Sequence, residues 1–260
     1  MPESPSPESL ELTVEGRRIE ALQIAGADPA LVLLHEGLGS ARLWRGFPAA
    51  LAQATGRRVI AYSRFGHGTS DPPPAPRTPA FFEEEAHSVL PAILSATDAS
   101  LSIPIGHSDG ATIALIHASR HPVSGVVLMA PHVFAEPMTL EAIREARERY
   151  EHGDLRERLA RHHADVDAAF WGWCGVWLAP EFQAWKVEAV VQAPALLIQG
   201  ADDPYGSLAH IERVRARGPV RPLVLPGGHT PHFEHERKVV RAIARFCEHV
   251  NDHSAILDGR

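Results

Sequence analysis

The sequence predicts an α/β fold with a mostly parallel, doubly wound sheet, and three observations carry that prediction. Short apolar runs rich in Val, Ile and Leu alternate along the chain with amphipathic stretches of helical period, the pattern of a sheet covered on both faces. Several of these runs end directly in turns rich in Gly, Asp, Ser or His. With 260 residues, 45% of them hydrophobic, the chain is long enough to bury one substantial core.

Taken in order, residues 10–14 and 19–24 flank the turn residues Glu15-Gly16 and open the chain as a hairpin. Strands follow at 31–35, 59–62, 101–105, 126–130, 196–199 and 222–225, separated by helices near 42–54, 80–97, 110–120, 207–216 and 235–250. The stretch between the strand at 126–130 and that at 196–199 is far too long for a single crossover helix. It predicts an inserted lid over residues 132–190, with helices at 141–150 and 155–163 and an aromatic concentration at 168–178 that Phe182 and Trp185 extend. The core then comprises 10–131 and 191–250. Residues 1–9, rich in Pro, Ser and Glu, read as a disordered tail, and 251–260 as a flexible C-terminal tail.

Composition excludes several function classes. A net charge of −7 without a basic stripe argues against nucleic acid and anionic membranes as partners. No apolar stretch reaches the length of a membrane span, and the N-terminus has no targeting pattern, so a cytoplasmic protein is expected. Cys174 and Cys247 are the only cysteines and read as buried free thiols. Lysine is confined to Lys186 and Lys238 while Arg and Ala are abundant, which suggests a bacterial coding bias. His229, His232 and His235, or His162, His163 and Asp165, do not match a helical ligand spacing, so no metal is expected.

The chemistry concentrates at Gly106-His107-Ser108-Asp109-Gly110, between an apolar run and a helical one. A strand turning sharply into a helix forces its central residue into strained backbone geometry and exposes the serine hydroxyl. The next amide, that of Asp109, lies at the first turn of a helix, where unpaired N–H groups and the positive dipole end can hold a developing oxyanion. A serine needs an imidazole to accept its proton, and the imidazole needs a carboxylate to orient it. Downstream, the strand at 196–199 leads into Gly200-Ala201-Asp202-Asp203, which supplies two carboxylates. The strand at 222–225 leads into Pro226-Gly227-Gly228-His229, making His229 the expected base. All fall at the carboxyl ends of strands, where such sheets bind ligands.

Together with these segments, Leu31-Val32-Leu33-Leu34-His35-Glu36-Gly37-Leu38-Gly39-Ser40, Ser63-Arg64-Phe65-Gly66-His67-Gly68-Thr69-Ser70-Asp71 and the segment from Gly228-His229 to His232-Phe233-Glu234 make the chain resemble the α/β-hydrolase family from about Val32 to Phe246. The resemblance implies Ser108 as nucleophile, His229 as base and Asp203, rather than Asp202, as the acid. It also implies the Asp109 amide as one oxyanion donor and the amide of Gly37 or Leu38 as the second. Glu36 stands where that family commonly has glycine, its side chain turned either to solvent or toward the pocket. His107 is expected to pack beneath the elbow and His67 to serve loop geometry. The implied cap would enclose a cavity with Trp44, Phe134, Trp171, Trp173 and Trp177 in its wall, although the tryptophans could equally pack the cap onto the core. The expected activity is cofactor-independent hydrolysis of a small, largely apolar ester through an acyl-enzyme on Ser108. The alternatives are hydrolysis of a carbon–carbon bond in a ring-fission-type diketone and non-catalytic binding of a small molecule on the same scaffold.

Overall fold

The computed structural model describes the backbone of residues 6–257 and the side chains of residues 6–250. Among the described residues the strands are β1 (Glu8–Val14), β2 (Arg17–Ile24), β3 (Ala27–Leu34), β4 (Arg57–Tyr62), β5 (Ser102–His107), β6 (Val126–Met129), β7 (Val190–Val191), β8 (Ala195–Gly200), β9 (Arg215–Ala216) and β10 (Val220–Leu225). Eight of them form one sheet in the order β1-β2-β4-β3-β5-β6-β8-β10. Strand β2 pairs antiparallel with β1 and β4, and every other pairing in the sheet is parallel. The short strands β7 and β9 pair separately.

The central strands are buried on both sides, which is why they read as unbroken apolar runs. On β3, Val32 and Leu34 enter the core on one face while Leu31 and Leu33 enter the core on the other, as the twofold side-chain period requires. Phe47 and Leu51 of the helix Phe47–Thr55, with Val239, Ile243 and Phe246 of the helix Glu236–Leu257, cover the Leu31/Leu33 face. The Val32/Leu34 face is covered by the helix Asp109–Arg120 and by a second helical stretch, Phe81–Glu84, which continues through a π turn, Glu85–Val89, into Leu90–Ala96.

The long segment between β6 and β8 forms the helices Pro137–His152, Leu155–Ala160 and Val166–Trp177. Asp165 caps the last of them, accepting the Ala168 amide at 2.9 Å. Ile143, Tyr150, Phe170 and Trp177 from this segment share one apolar cluster with Val32, Leu34 and Ile113, so it has no core of its own.

Several boundaries differ from the sequence expectation. Pairing begins at Glu8, opposite Gln23, because ladder hydrogen bonds need no apolar side chain; this shortens the expected 1–9 tail, of which residues 1–5 lie outside the described residues. The last helix runs to Leu257, past the expected end at 250, and 258–260 lie outside the described residues. The helix expected at 207–216 is confined to Ala209–Arg213, since Arg215 and Ala216 pair with Val190 and Val191. Pro222 lies within β10, an edge strand, where a missing N–H is tolerated.

The join between β5 and the helix Asp109–Arg120 is the tightest point of the fold. Ser108 has φ 54° and ψ −119°, and its amide donates to the Met129 carbonyl at 2.9 Å. A Cβ on Gly106 would fall 2.2 Å from the Gly110 carbonyl oxygen, and one on Gly110 would fall 2.0 Å from that of Leu34. Both obstacles are backbone, so neither can swing aside. Gly110→Ala is therefore expected to destabilise the protein by at least about 1–3 kcal/mol, read as a lower urea midpoint; an unchanged midpoint would show that β3 and the helix can separate freely.

Candidate active site

The topology brings the ends of β3, β5, β6, β8 and β10 to one side of the sheet, where a cavity of about 180 Å³ opens. Ser108, Asp109, Gly37, Leu38 and His229 all line it. Ser108 is 6% exposed. His229 Nδ1 donates to Asp203 Oδ2 at 2.8 Å. The same oxygen accepts from Gln199 Nε2 at 2.8 Å, and Asp203 Oδ1 accepts from the Tyr205 amide at 2.8 Å, so this carboxylate, only 4% exposed, is held from several directions. Asp202 is exposed and accepts from the Gly227 amide at 3.3 Å. His107 lies below the ring, its Nε2 donating to the His229 carbonyl at 2.7 Å.

The loop after β3 is fixed by its carbonyl groups. Arg64 donates through Nη1 to the His35 carbonyl and through Nη2 to that of Glu36 at 2.9 Å. His67 Nε2 donates to the Gly37 carbonyl at 2.9 Å, and His163 Nε2 to that of Leu38 at 2.9 Å. In a trans peptide the N–H points opposite to the C=O, so anchoring the Glu36 and Gly37 carbonyls on one side aims the Gly37 and Leu38 amides to the other. Among the described residues these two amides and that of Asp109 have no protein acceptor. Gly37 has no room for a side chain, because a Cβ there would lie 2.1 Å from Trp173 Nε1.

Of the aromatic residues expected in the cavity wall, Trp173 and Trp177 line it and three others do not. The two that do are four apart on one helix and share a face, whereas Trp171, two residues from Trp173, points outward and is 41% exposed. Trp44 belongs to the opposite core, stacked on Phe47 and tilted against His232. Phe134 stacks on His210 at 4.4 Å beneath the Arg213 guanidinium. The wall also includes Glu36, which the sequence left open between solvent and pocket, and His132, Thr139, Ile143 and Tyr205, none of which a motif marks. His163 and Arg64 were equally silent in sequence, since their partners lie 125 and 29 positions away. Of the histidines considered as metal ligands, His163 is engaged on the Leu38 carbonyl and the Gly68 amide and His235 on the Pro226 carbonyl, whereas His232 Nδ1 is buried without a partner among the described residues.

Fold and site together define a hydrolase-type α/β architecture. The family model of the alpha/beta hydrolase fold matches residues 29–189, and the chain belongs to that family. Over 111 residues, 42% of this chain, it is 37% identical to the uncharacterized protein Rv2715 of Mycobacterium tuberculosis, and it spans about 30% of the length of the curated relatives it matches. Similar solved structures include an enol-lactonase from Burkholderia xenovorans LB400, with TM-score 0.71, 20% identity and coverage of 92% of this chain and 100% of that one. A thermophilic esterase from Thermogutta terrifontis matches with TM-score 0.63 and 18% identity over 94% of this chain and 99% of that one. Epoxide hydrolase A from Mycobacterium thermoresistibile matches with TM-score 0.65 and 21% identity over 93% and 98%. At these identities the likeness is one of fold. Among the described residues no helix is long and apolar enough to cross a membrane.

Two carboxylic residues, Glu36 and Asp109, line the cavity with Ser108. Burial raises the Asp109 carboxyl above its ordinary range, against the opposing pull of Arg64 and of the Trp177 Nε1–H, which donates to Oδ1 at 3.2 Å. Burial likewise raises that of Glu36, whose own amide and Arg64 oppose the shift while Asp109 adds to it. A carboxyl raised on folding stabilises the protein below its unfolded pKa, and that contribution is lost as pH rises through the folded value. Asp109→Asn removes the loss, so the melting temperature of the variant relative to wild type is expected to be higher at pH 8 than at pH 4. Calorimetry at the two pH values checks this, and a pH-independent difference contradicts it.

Proposed function

We propose that this protein is a cofactor-independent serine hydrolase that opens small carboxylic esters through an acyl-enzyme on Ser108. The observation that carries the reading is the Asp203–His229 contact of 2.8 Å at a cavity that also holds the elbow serine. Supporting it are unpaired amides on two sides of that serine, at Asp109 and at Gly37 and Leu38.

Each step follows from the groups in place. With Nδ1 hydrogen bonded to Asp203, the His229 ring presents its other nitrogen as the proton acceptor. It takes the Ser108 proton as Oγ attacks the ester carbonyl carbon. The carbonyl oxygen becomes an oxyanion, held by the Asp109 amide at the positive end of its helix and by that of Gly37 or Leu38. The protonated ring then gives its proton to the departing alkoxide, which leaves as an alcohol. Water, deprotonated by the same ring, attacks the acyl-enzyme, and collapse of the second tetrahedral adduct releases the acid and restores the serine hydroxyl.

Ester cleavage also accords with the enol-lactonase and the esterase among the similar structures, both named for acting on esters. A volume of about 180 Å³, walled by Trp173, Trp177, Ile143 and Leu38, favours a short acyl group.

Ser108→Ala is expected to abolish both fluorophosphonate labelling and hydrolysis of p-nitrophenyl esters while circular dichroism stays unchanged; turnover surviving this substitution discards the mechanism. The two neighbouring carboxylates separate cleanly. Asp203→Asn should lower kcat by about 10⁴-fold through loss of the correct ring tautomer, whereas Asp202→Asn should stay within about twofold of wild type, as surface substitutions do. Equal losses in both would remove Asp203 from its role.

A further inference from the structure

The cavity wall is apolar and aromatic except at a few points, and two of those are carboxyl groups attached to the oxyanion framework itself. Asp109 is 2% exposed and lines the cavity, and its one side-chain partner is Trp177 Nε1. Glu36 immediately precedes Gly37. Its carboxylate lies over Gly39, where an added Cβ would fall 2.1 Å from Oε2, and it accepts from its own amide. Neither carboxyl has a cationic partner within ion-pair distance among the described residues.

The buried guanidinium groups nearest to them are committed elsewhere. Arg64 binds the His35 and Glu36 carbonyls, and Arg77 binds the Phe65 carbonyl and His67 Nδ1. Both also face the buried carboxyl of Glu85. Glu36 and Asp109 thus line the cavity with neither guanidinium group within ion-pair distance of their carboxyl oxygens. A negative charge beside a nascent oxyanion opposes the proposed reaction, so an ionised Glu36 or Asp109 is unfavourable for a neutral ester. A cation supplied by the substrate would remove that obstacle. Trp173, Trp177 and Tyr205 line the same cavity, and aromatic rings are the side chains that best receive a cation.

We infer that the site selects small acyl compounds carrying an ammonium group one or two carbons from the scissile carbonyl, held by Glu36 and Asp109 against the aromatic wall. The distance follows from the attachment of the carboxyls: one belongs to an oxyanion donor and the other to the residue preceding one, so what they bind must lie close to the reacting carbon. This inference rests on the serine-hydrolase reading.

The test compares kcat/KM at pH 7 for the benzyl esters of alanine and β-alanine with those of two neutral partners, benzyl propionate and N-acetylalanine benzyl ester. A charge-assisted hydrogen bond sets the expected preference for an amino ester at about 10- to 100-fold. In Glu36→Gln the amino-ester rate should fall while the propionate rate rises, since the charge near the oxyanion is gone; opposite movements cannot come from misfolding. A wild-type preference under tenfold for both amino esters, or a preference unaltered in both Glu36→Gln and Asp109→Asn, overturns the inference even though Ser108 still turns over neutral esters. If the variants are insoluble, the wild-type ratio decides alone. Absence of any turnover together with absence of fluorophosphonate labelling is a distinct pattern, in which the serine-hydrolase reading falls and takes the inference with it.

Discussion

The whole site depends on how closely the helix after Ser108 approaches the end of β3. Gly110 sits against the Leu34 carbonyl and Gly106 against that of Gly110, at separations that leave no room for a methyl group. This contact fixes three things at once. It forces the left-handed backbone at Ser108, sets the first amide of the helix beside that residue, and brings the loop 35–38 alongside, because that loop continues directly from Leu34. The strain at one residue is sustained because the packing around it leaves no alternative.

A second constraint is the use of neutral imidazoles as connectors. Burial, aided by Arg64 at His35 and by Arg77 at His67, holds both rings well below the usual histidine range, and burial lowers His163 too. A neutral ring carries one donor and one acceptor, and each of the three uses both. His35 accepts the Arg64 amide and donates to the Glu36 carbonyl; His67 donates to Gly37 and accepts from Arg77; His163 accepts the Gly68 amide and donates to Leu38. Protonation would convert the acceptor nitrogen of His35 and of His163 into a second donor facing an N–H, while His67 Nδ1 also lies 3.1 Å from the Phe65 carbonyl. The orientation of the loop amides is thus tied to an interior that keeps histidine uncharged, and a chain with 16 histidines uses several of them for geometry alone.

What was legible in the sequence follows from this physics. The parallel strands could be read because burial on both faces imposes unbroken apolar runs, as in 31–34 and 195–198. The elbow could be read because its geometry admits only glycine at 106 and 110. The residue types alone left Asp202 and Asp203 equivalent and only the family resemblance favoured Asp203, since their difference is one of burial, created by Gln199 and Tyr205 in three dimensions. Trp171 was indistinguishable from Trp173 as composition, although helical spacing from Trp177 separates them. Trp44 was expected in the cavity wall, yet the turn Ala41–Trp44 packs into the apolar cluster on the other face of the sheet. His163 and Arg64 left no local trace because their role is exerted on carbonyl groups, which every residue carries.

The segment between β6 and β8 does more than narrow the cavity. His163 ties the Leu38 carbonyl, Trp173 lies against Gly37, and Trp177 donates to Asp109. Each of these contacts falls on a residue that carries a candidate oxyanion amide. The same helix that supplies the aromatic wall therefore also sets where those amides point. Because its apolar side chains merge with the core beneath the sheet instead of forming a body of their own, the helix has little freedom to move without disturbing the loop. Selectivity and rate are then coupled by construction: a substrate that does not fit against Trp173 and Trp177 presses on the groups that would stabilise its own transition state, and it loses speed together with affinity.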